Sequence, residues 1–125
     1  MSLKAIPNAG LPPEYRLRLK ADFDRVYAGR QSVTDGLLRI VALPGELSHA
    51  RLGLSVSKRV GNAIRRNRCK RLLREAFRLS RADLPALDLI IIPVGRGVPQ
   101  LGPFQDSLRQ LTRRLAKRLA RSAPP

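Results

Sequence analysis

The 125-residue chain has one cysteine, one histidine, no tryptophan, two tyrosines, three phenylalanines and only 9 acidic residues. A single Cys69 excludes an intramolecular disulfide and a cysteine-built zinc site. No apolar run approaches the roughly 18 residues of a membrane span, and Met1 to Gly10 carries no secretory apolar core. A reducing, cytoplasmic setting is therefore expected. His49 stands in an expected loop beside Ser48 with no partner for acid–base chemistry, and reads as a solvated side chain. Asp22 and Asp24 read as favourable charges at a helix start rather than as ion ligands. Cys69 reads as core packing. The glycines at 95, 97 and 102 lack the following Lys-Ser/Thr of a phosphate-binding loop. No catalytic or metal-binding residue is expected on the protein itself.

What the chain has instead is positive charge, 25 Lys+Arg for a formal net of +16. Residues 58–81 hold ten bases and one acid, Glu75, while residues 1–57 carry a net of only +3. Residues 82–107 are net acidic, and 108–121 add six bases and no acid. Packing that many cations into 24 residues costs self-repulsion that a polyanion relieves. Twenty of the bases are arginine, whose planar fork matches phosphate and stacks on bases. Nucleic acid is the expected partner. With 43% hydrophobic residues the chain still has material for a core.

Apolar spacing organises that core. Leu19, Phe23, Val26 and Tyr27 predict a short helix over 19–28, stopped at Gly29. Leu37 to Leu43 and the alternating Arg51 to Ser57 predict two strands, with Pro44 to Ala50 as a hairpin loop between them. Cys69, Leu72, Leu73, Ala76 and Phe77 form the stripe of a helix over 62–79. Leu87 to Val94 contains Leu89-Ile90-Ile91-Ile92, the composition of an interior strand buried on both faces. Phe104, Leu108, Leu111, Leu115 and Leu119 predict a last helix over 104–121. Residues 1–13, with three prolines, read as a flexible arm, 14–121 as a single domain and 122–125 as a tail. The pattern is α+β, helices against a small sheet.

On the 62–79 helix, Asn67, Arg71, Arg74 and Arg78 project opposite the apolar stripe, and Arg68 and Lys70 flank it. Arg65 and Arg66 project on the stripe side, one turn early. Either that turn overhangs the core and aims its guanidinium groups into a cleft between helix and sheet, or the helix starts later. Lys58-Arg59-Val60-Gly61 makes the turn into it, with Asn62 placed to cap the first amides. Solvated helix faces usually mix charge signs, because unlike charges at i, i+4 attract; this one scarcely does.

The stretch from Leu54 to Phe77, centred on Arg66-Asn67-Arg68 and preceded by Lys58-Arg-Val-Gly-Asn-Ala63, closely resembles the signature of the bacterial ribonuclease P protein component. The resemblance extends to the Leu19 to Gly29 spacing, the Asp88-Leu-Ile-Ile-Ile strand and the closing helix, about residues 15–121. It implies a four-stranded sheet with three helices in the order α-β-β-β-α-β-α, one short strand more than the spacing shows. It also implies a left-handed crossover around the basic helix, against the usual rule. The implied job is that of a protein subunit of ribonuclease P, joined to a catalytic RNA that removes the 5′ leader of precursor tRNA. The RNA would hold the magnesium ions, with no metal on the protein and no membrane or obligate protein partner. RNA-contacting positions fall on Lys58, Arg59, Asn62, Arg65, Arg66, Asn67, Arg68, Lys70, Arg71 and Arg74. A leader cleft between the sheet and the basic helix would have Phe23 and Tyr27 in its floor, although Phe23 equally suits core packing. The first long strand, Leu37-Leu38-Arg39-Ile40-Val41, lacks the aromatics frequent in the family, so stacking on the leader should be weaker here. A ribosomal-type structural RNA-binding protein is the alternative, and a membrane-surface role for the basic C-terminal helix a more remote one.

Overall fold

The computed structural model describes residues 11–122. Its elements are α1 (Lys20–Ala28), β1 (Ser32–Thr34), β2 (Leu38–Pro44), β3 (Arg51–Leu54), α2 (Ala63–Ser80), β4 (Leu87–Pro93) and α3 (Leu101–Ser122). The order is the expected one, and β1 is the extra short strand. In space the strands run β1-β2-β4-β3, with β1, β2 and β4 antiparallel neighbours and β3 parallel to β4. The expected hairpin across 44–50 does not form. The strand rich in isoleucine, with nothing polar to show water after Asp88, takes the interior place between β2 and β3 and separates them.

Strand alternation divides the side chains between two faces. Leu38, Ile40, Ala42, Leu52, Leu89 and Ile91 point to one face and pack with Cys69, Leu73, Ala76 and Phe77 of α2 and Phe104, Leu108, Leu111 and Leu115 of α3. Val41 and Ile90 point to the other, where Leu17, Val26 and Phe23 join them. The α1 stripe is narrower than its spacing suggests. Val26 is buried and Phe23 half-buried, while Leu19 and Tyr27 are exposed. Only one edge of this nine-residue helix rests on the sheet. Gly53 makes that possible, since a Cβ there would stand 2.7 Å from the Phe23 ring.

Of the expected arm, residues 1–10 lie outside the described residues, as do 123–125 of the expected tail. Residues 11–13 are not loose: Leu11 is buried in the core and its carbonyl accepts from Arg16 Nε at 2.8 Å. His49 is also not simply solvated. Its ring lies 4.4 Å from that of Tyr15, which in turn sits beneath the Arg81 guanidinium at 4.1 Å.

Candidate nucleic-acid interface

The basic segment begins where β3 ends. Ser55 N still donates to Ile91 O, and the chain then tightens into a 3-10 turn over Lys58–Val60. Gly61 follows with φ of 143°, a backbone that side chains rarely adopt. Asn62 caps α2 as expected, its Oδ1 accepting from Arg65 N at 2.9 Å. The helix therefore starts on time, and its first turn does overhang the core.

Arg65 lines cavities between the first turn of α2 and the end of the sheet, as an overhanging turn should, and both first-turn guanidinium groups find backbone acceptors. Arg65 Nη2 donates to the carbonyls of Arg96 and Gly97 at 3.3 and 3.0 Å, holding the loop between β4 and α3 against α2. Arg66 Nη1 donates to Gly61 O at 3.0 Å. Both are half-buried. Arg65 also lies beside the buried Cys69 thiol, whose pKa burial pushes up and this guanidinium partly restrains. The sequence offered no sign that the 96–97 carbonyls would take Arg65, because the contact spans 31 and 32 residues.

Lys58, Arg59, Asn62, Asn67, Arg68 and Arg71 are exposed, Lys70 and Arg74 half-buried. Burial, and then the nearby charge of Arg16, press the Arg74 guanidinium below its ordinary value. Glu75, the one acid of 58–81, is engaged by Arg78 through bonds of 2.9 and 2.6 Å. That pairing leaves the rest of the α2 face without an acid of its own segment. The face presents cations and amides at helical spacing, geometry suited to successive phosphates of a nucleic acid.

A cavity of about 380 Å³ opens between the first turn of α2 and the end of the sheet, lined by Arg65, Cys69, Leu37 and Pro93, but Phe23 and Tyr27 are not in it. Farther along α2 the space is the main apolar core, and Phe23 lies across the sheet from it. Phe23 instead packs on the sheet's second face, where Arg39 and Thr34 are exposed and Ile92 half-buried, and the exposed Tyr27 follows one turn along α1. Beneath α1 that face carries the fully buried Asp88, a residue noticed in sequence only as part of a strand. Arg51 forks onto it, Nε to Oδ1 at 2.9 Å and Nη2 to Oδ2 at 2.8 Å, and Arg25 of α1 donates to Oδ2 from the other side. Burial raises the Asp88 carboxyl, but the hydrogen bonds and charges of Arg51 and Arg25 outweigh it and hold the group below its ordinary value. Asp22 stands 4.0 Å from Arg25 and 3.9 Å from Arg51, so it belongs to this clamp rather than to an ion site. Asp24 pairs with Lys20.

Comparison with known proteins gives one consistent result. The family model described as Ribonuclease P matches residues 11–123. The chain is similar to the ribonuclease P protein component of Coxiella burnetii, 38% identical over 84 residues that cover 66% of this chain and 69% of that one. It is 40% identical to the Staphylococcus haemolyticus component over 78 residues, 62% of this chain and 68% of that one. Among solved structures, the Staphylococcus aureus RNase P protein aligns with a TM-score of 0.69 at 35% identity, covering 82% of this chain and 95% of its own. The Thermotoga maritima RNase P protein aligns at 0.71 and 28% identity, covering 79% and 96%.

Proposed function

The chain belongs to the ribonuclease P protein family, and from that premise we propose that it binds the catalytic RNA through α2 and the Lys58–Val60 turn and promotes removal of the 5′ leader from precursor tRNA. The observation that carries the RNA assignment is the concentration of ten bases against one acid in residues 58–81, presented on an exposed helix face. In this reading Lys58, Arg59, Asn67, Arg68 and Arg71 meet phosphates directly. Arg65 and Arg66 act first as positioning residues, fixing the loop and the turn around the helix start.

The leader then runs along the second face of the sheet beside α1. Phe23 and Tyr27 offer ring surface to unstacked bases and Arg39 offers charge. The strands contribute Val41, Ile90 and Ile92 there and no aromatic side chain, which keeps the stacking contribution modest. Cleavage is assigned to the RNA, which holds the magnesium ions. Among the described residues no three His, Cys, Asp or Glu side chains come together as a metal-binding group. No helix of those residues is long and apolar enough to cross a membrane, and the cytoplasm is the setting this reading requires.

Reconstitution tests it: purified protein, a bacterial ribonuclease P RNA, low magnesium and 5′-labelled precursor tRNA. Cleavage at the mature 5′ end only when protein and RNA are both present is the expected result. Tight RNA binding that never promotes cleavage with any compatible RNA would place the protein with ribosomal-type RNA binders instead. With about six phosphate contacts, raising salt from 50 to 200 mM should cost roughly 10³-fold in affinity.

A further inference from the structure

Two aliphatic side chains stand out on this cationic surface. Ile64, in the first turn of α2, is 79% exposed, the highest value for a large apolar residue among the described residues. Val98, in the loop before α3, is 63% exposed. They are 34 positions apart in sequence, yet both line a single depression of about 470 Å³ together with Gly61, Asn62, Arg68 and Pro99. Ile64 falls off the apolar stripe of α2, so the core does not use it.

The walls of the depression are built rather than incidental. The Arg65 bonds to the 96 and 97 carbonyls tie the loop carrying Val98 to the helix carrying Ile64. The Asn62 cap fixes that first turn, and Gly61 has no Cβ where the Arg65 stem passes, a position only 2.6 Å from it. Arg65 Nε is buried with no hydrogen-bond partner among the described residues. A second cavity of about 380 Å³ shares Arg65, Val98 and Pro99 and leads inward towards Cys69.

We propose that this depression receives an unpaired nucleobase of the RNA partner, its apolar face against Ile64 and Val98 and its phosphate on Arg68. The proposal rests on the RNA-binding reading of α2 and adds a contact of a different kind to it. A bare phosphate gains nothing from aliphatic walls. The surrounding net charge of +9 over 58–81 selects a polyanion, and a nucleotide joins an anion to a flat, weakly hydrated ring. Paired bases hide those ring faces in the stack, so the occupant is unpaired. A lipid surface also joins apolar and anionic groups, but two aliphatic side chains among so many arginines offer it little apolar area to insert.

The test is the affinity of the full chain for a bacterial ribonuclease P RNA across a salt series, for the wild type and for Ile64→Ser combined with Val98→Ser. Removing two aliphatic contacts and no cation should weaken binding roughly tenfold, the order of uncovering part of two aliphatic side chains, and leave the slope of log affinity against log salt unchanged. Equal affinity, or a loss accompanied by a shallower slope, overturns the proposal while the RNA-binding reading stands. Failure of the wild type to bind RNA overturns both. Should the double variant melt early, a photoreactive benzoylphenylalanine in place of Val98 reads the same contact, with crosslinks expected at an unpaired nucleotide. Crosslinks confined to duplex, or capture of phosphatidylglycerol vesicles that the double substitution abolishes, would sink it.

Discussion

The two faces of the sheet are held by different physics. Under α2 and α3, Leu38, Ile40, Leu89 and Ile91 meet Leu73, Phe77, Leu108 and Leu115, all of them fully buried. Helices of 18 and 22 residues carry enough apolar stripe to seal that face by area alone. On the other face α1 has nine residues and brings only Val26 and part of Phe23 to the contact. A helix that short is marginal by itself, and it is fastened by the Asp88 carboxylate gripped between Arg25 and Arg51. Charge-assisted hydrogen bonds of this kind do in a small footprint what burial does in a large one. A face secured at one end also leaves Thr34 and Arg39 exposed and Ile92 only half-buried beside α1, where a wide helix would have closed it.

The largest effect should come from breaking the clamp. Arg51→Ala strands a buried carboxylate with Arg25 as its remaining guanidinium, and should cost about 3–5 kcal/mol in urea unfolding. Adding Asp88→Asn should recover part of that loss, because the stranded charge is gone. A cost below about 1 kcal/mol would mean that the clamp does not fasten this face. Leu73→Ala, on the sealed face, should cost about 3 kcal/mol through lost transfer energy and the cavity left behind.

Acid separates the two faces more finely. The Asp88 pKa is lowered on folding, so its contribution is present above the unfolded value near about 3.9 and is lost as pH falls through the folded one. Asp35 and Glu75 are lowered as well, so the wild-type acid limb is not due to Asp88 alone. The difference between variants isolates it. Leu73→Ala should lose stability below about pH 4 in parallel with the wild type, whereas Arg51→Ala should show a flatter limb. Parallel limbs for all three would remove Asp88 from the account. The smallest effect expected is that of Asn62→Ala, about 1 kcal/mol for a lost cap. Hydrogen exchange should rise at the first amides of α2 and stay unchanged at α1.

Local pattern was enough to read α2 with its cap, the interior place of β4, the amphipathic α3 and the focus of charge in 58–81. Each rests on spacing or composition within one segment. The Pro44 to Ala50 stretch looked like a hairpin because neighbouring strands usually pair; only the competition among three strands for the sheet centre puts β4 between β2 and β3. The α1 spacing marked four apolar residues without revealing that the sheet would meet only two of them. That Phe23 stands on the face opposite α2 is hidden for the same reason: nothing in a helical or strand period says which face a neighbouring helix will take.

The sequence by itself determined every α-helix and every strand but the short β1, the polyanionic partner class and the family, because periodicity, charge density and the 58–77 signature are properties of contiguous residues. The tertiary structure alone decided which cations are spent inside the protein and which remain for RNA. Arg51 meets Asp88 across 37 residues, Arg25 meets it across 63, and Arg65 reaches Gly97 across 32. A guanidinium carries the same charge wherever it stands; the acceptor it finds depends on the path of the folded backbone.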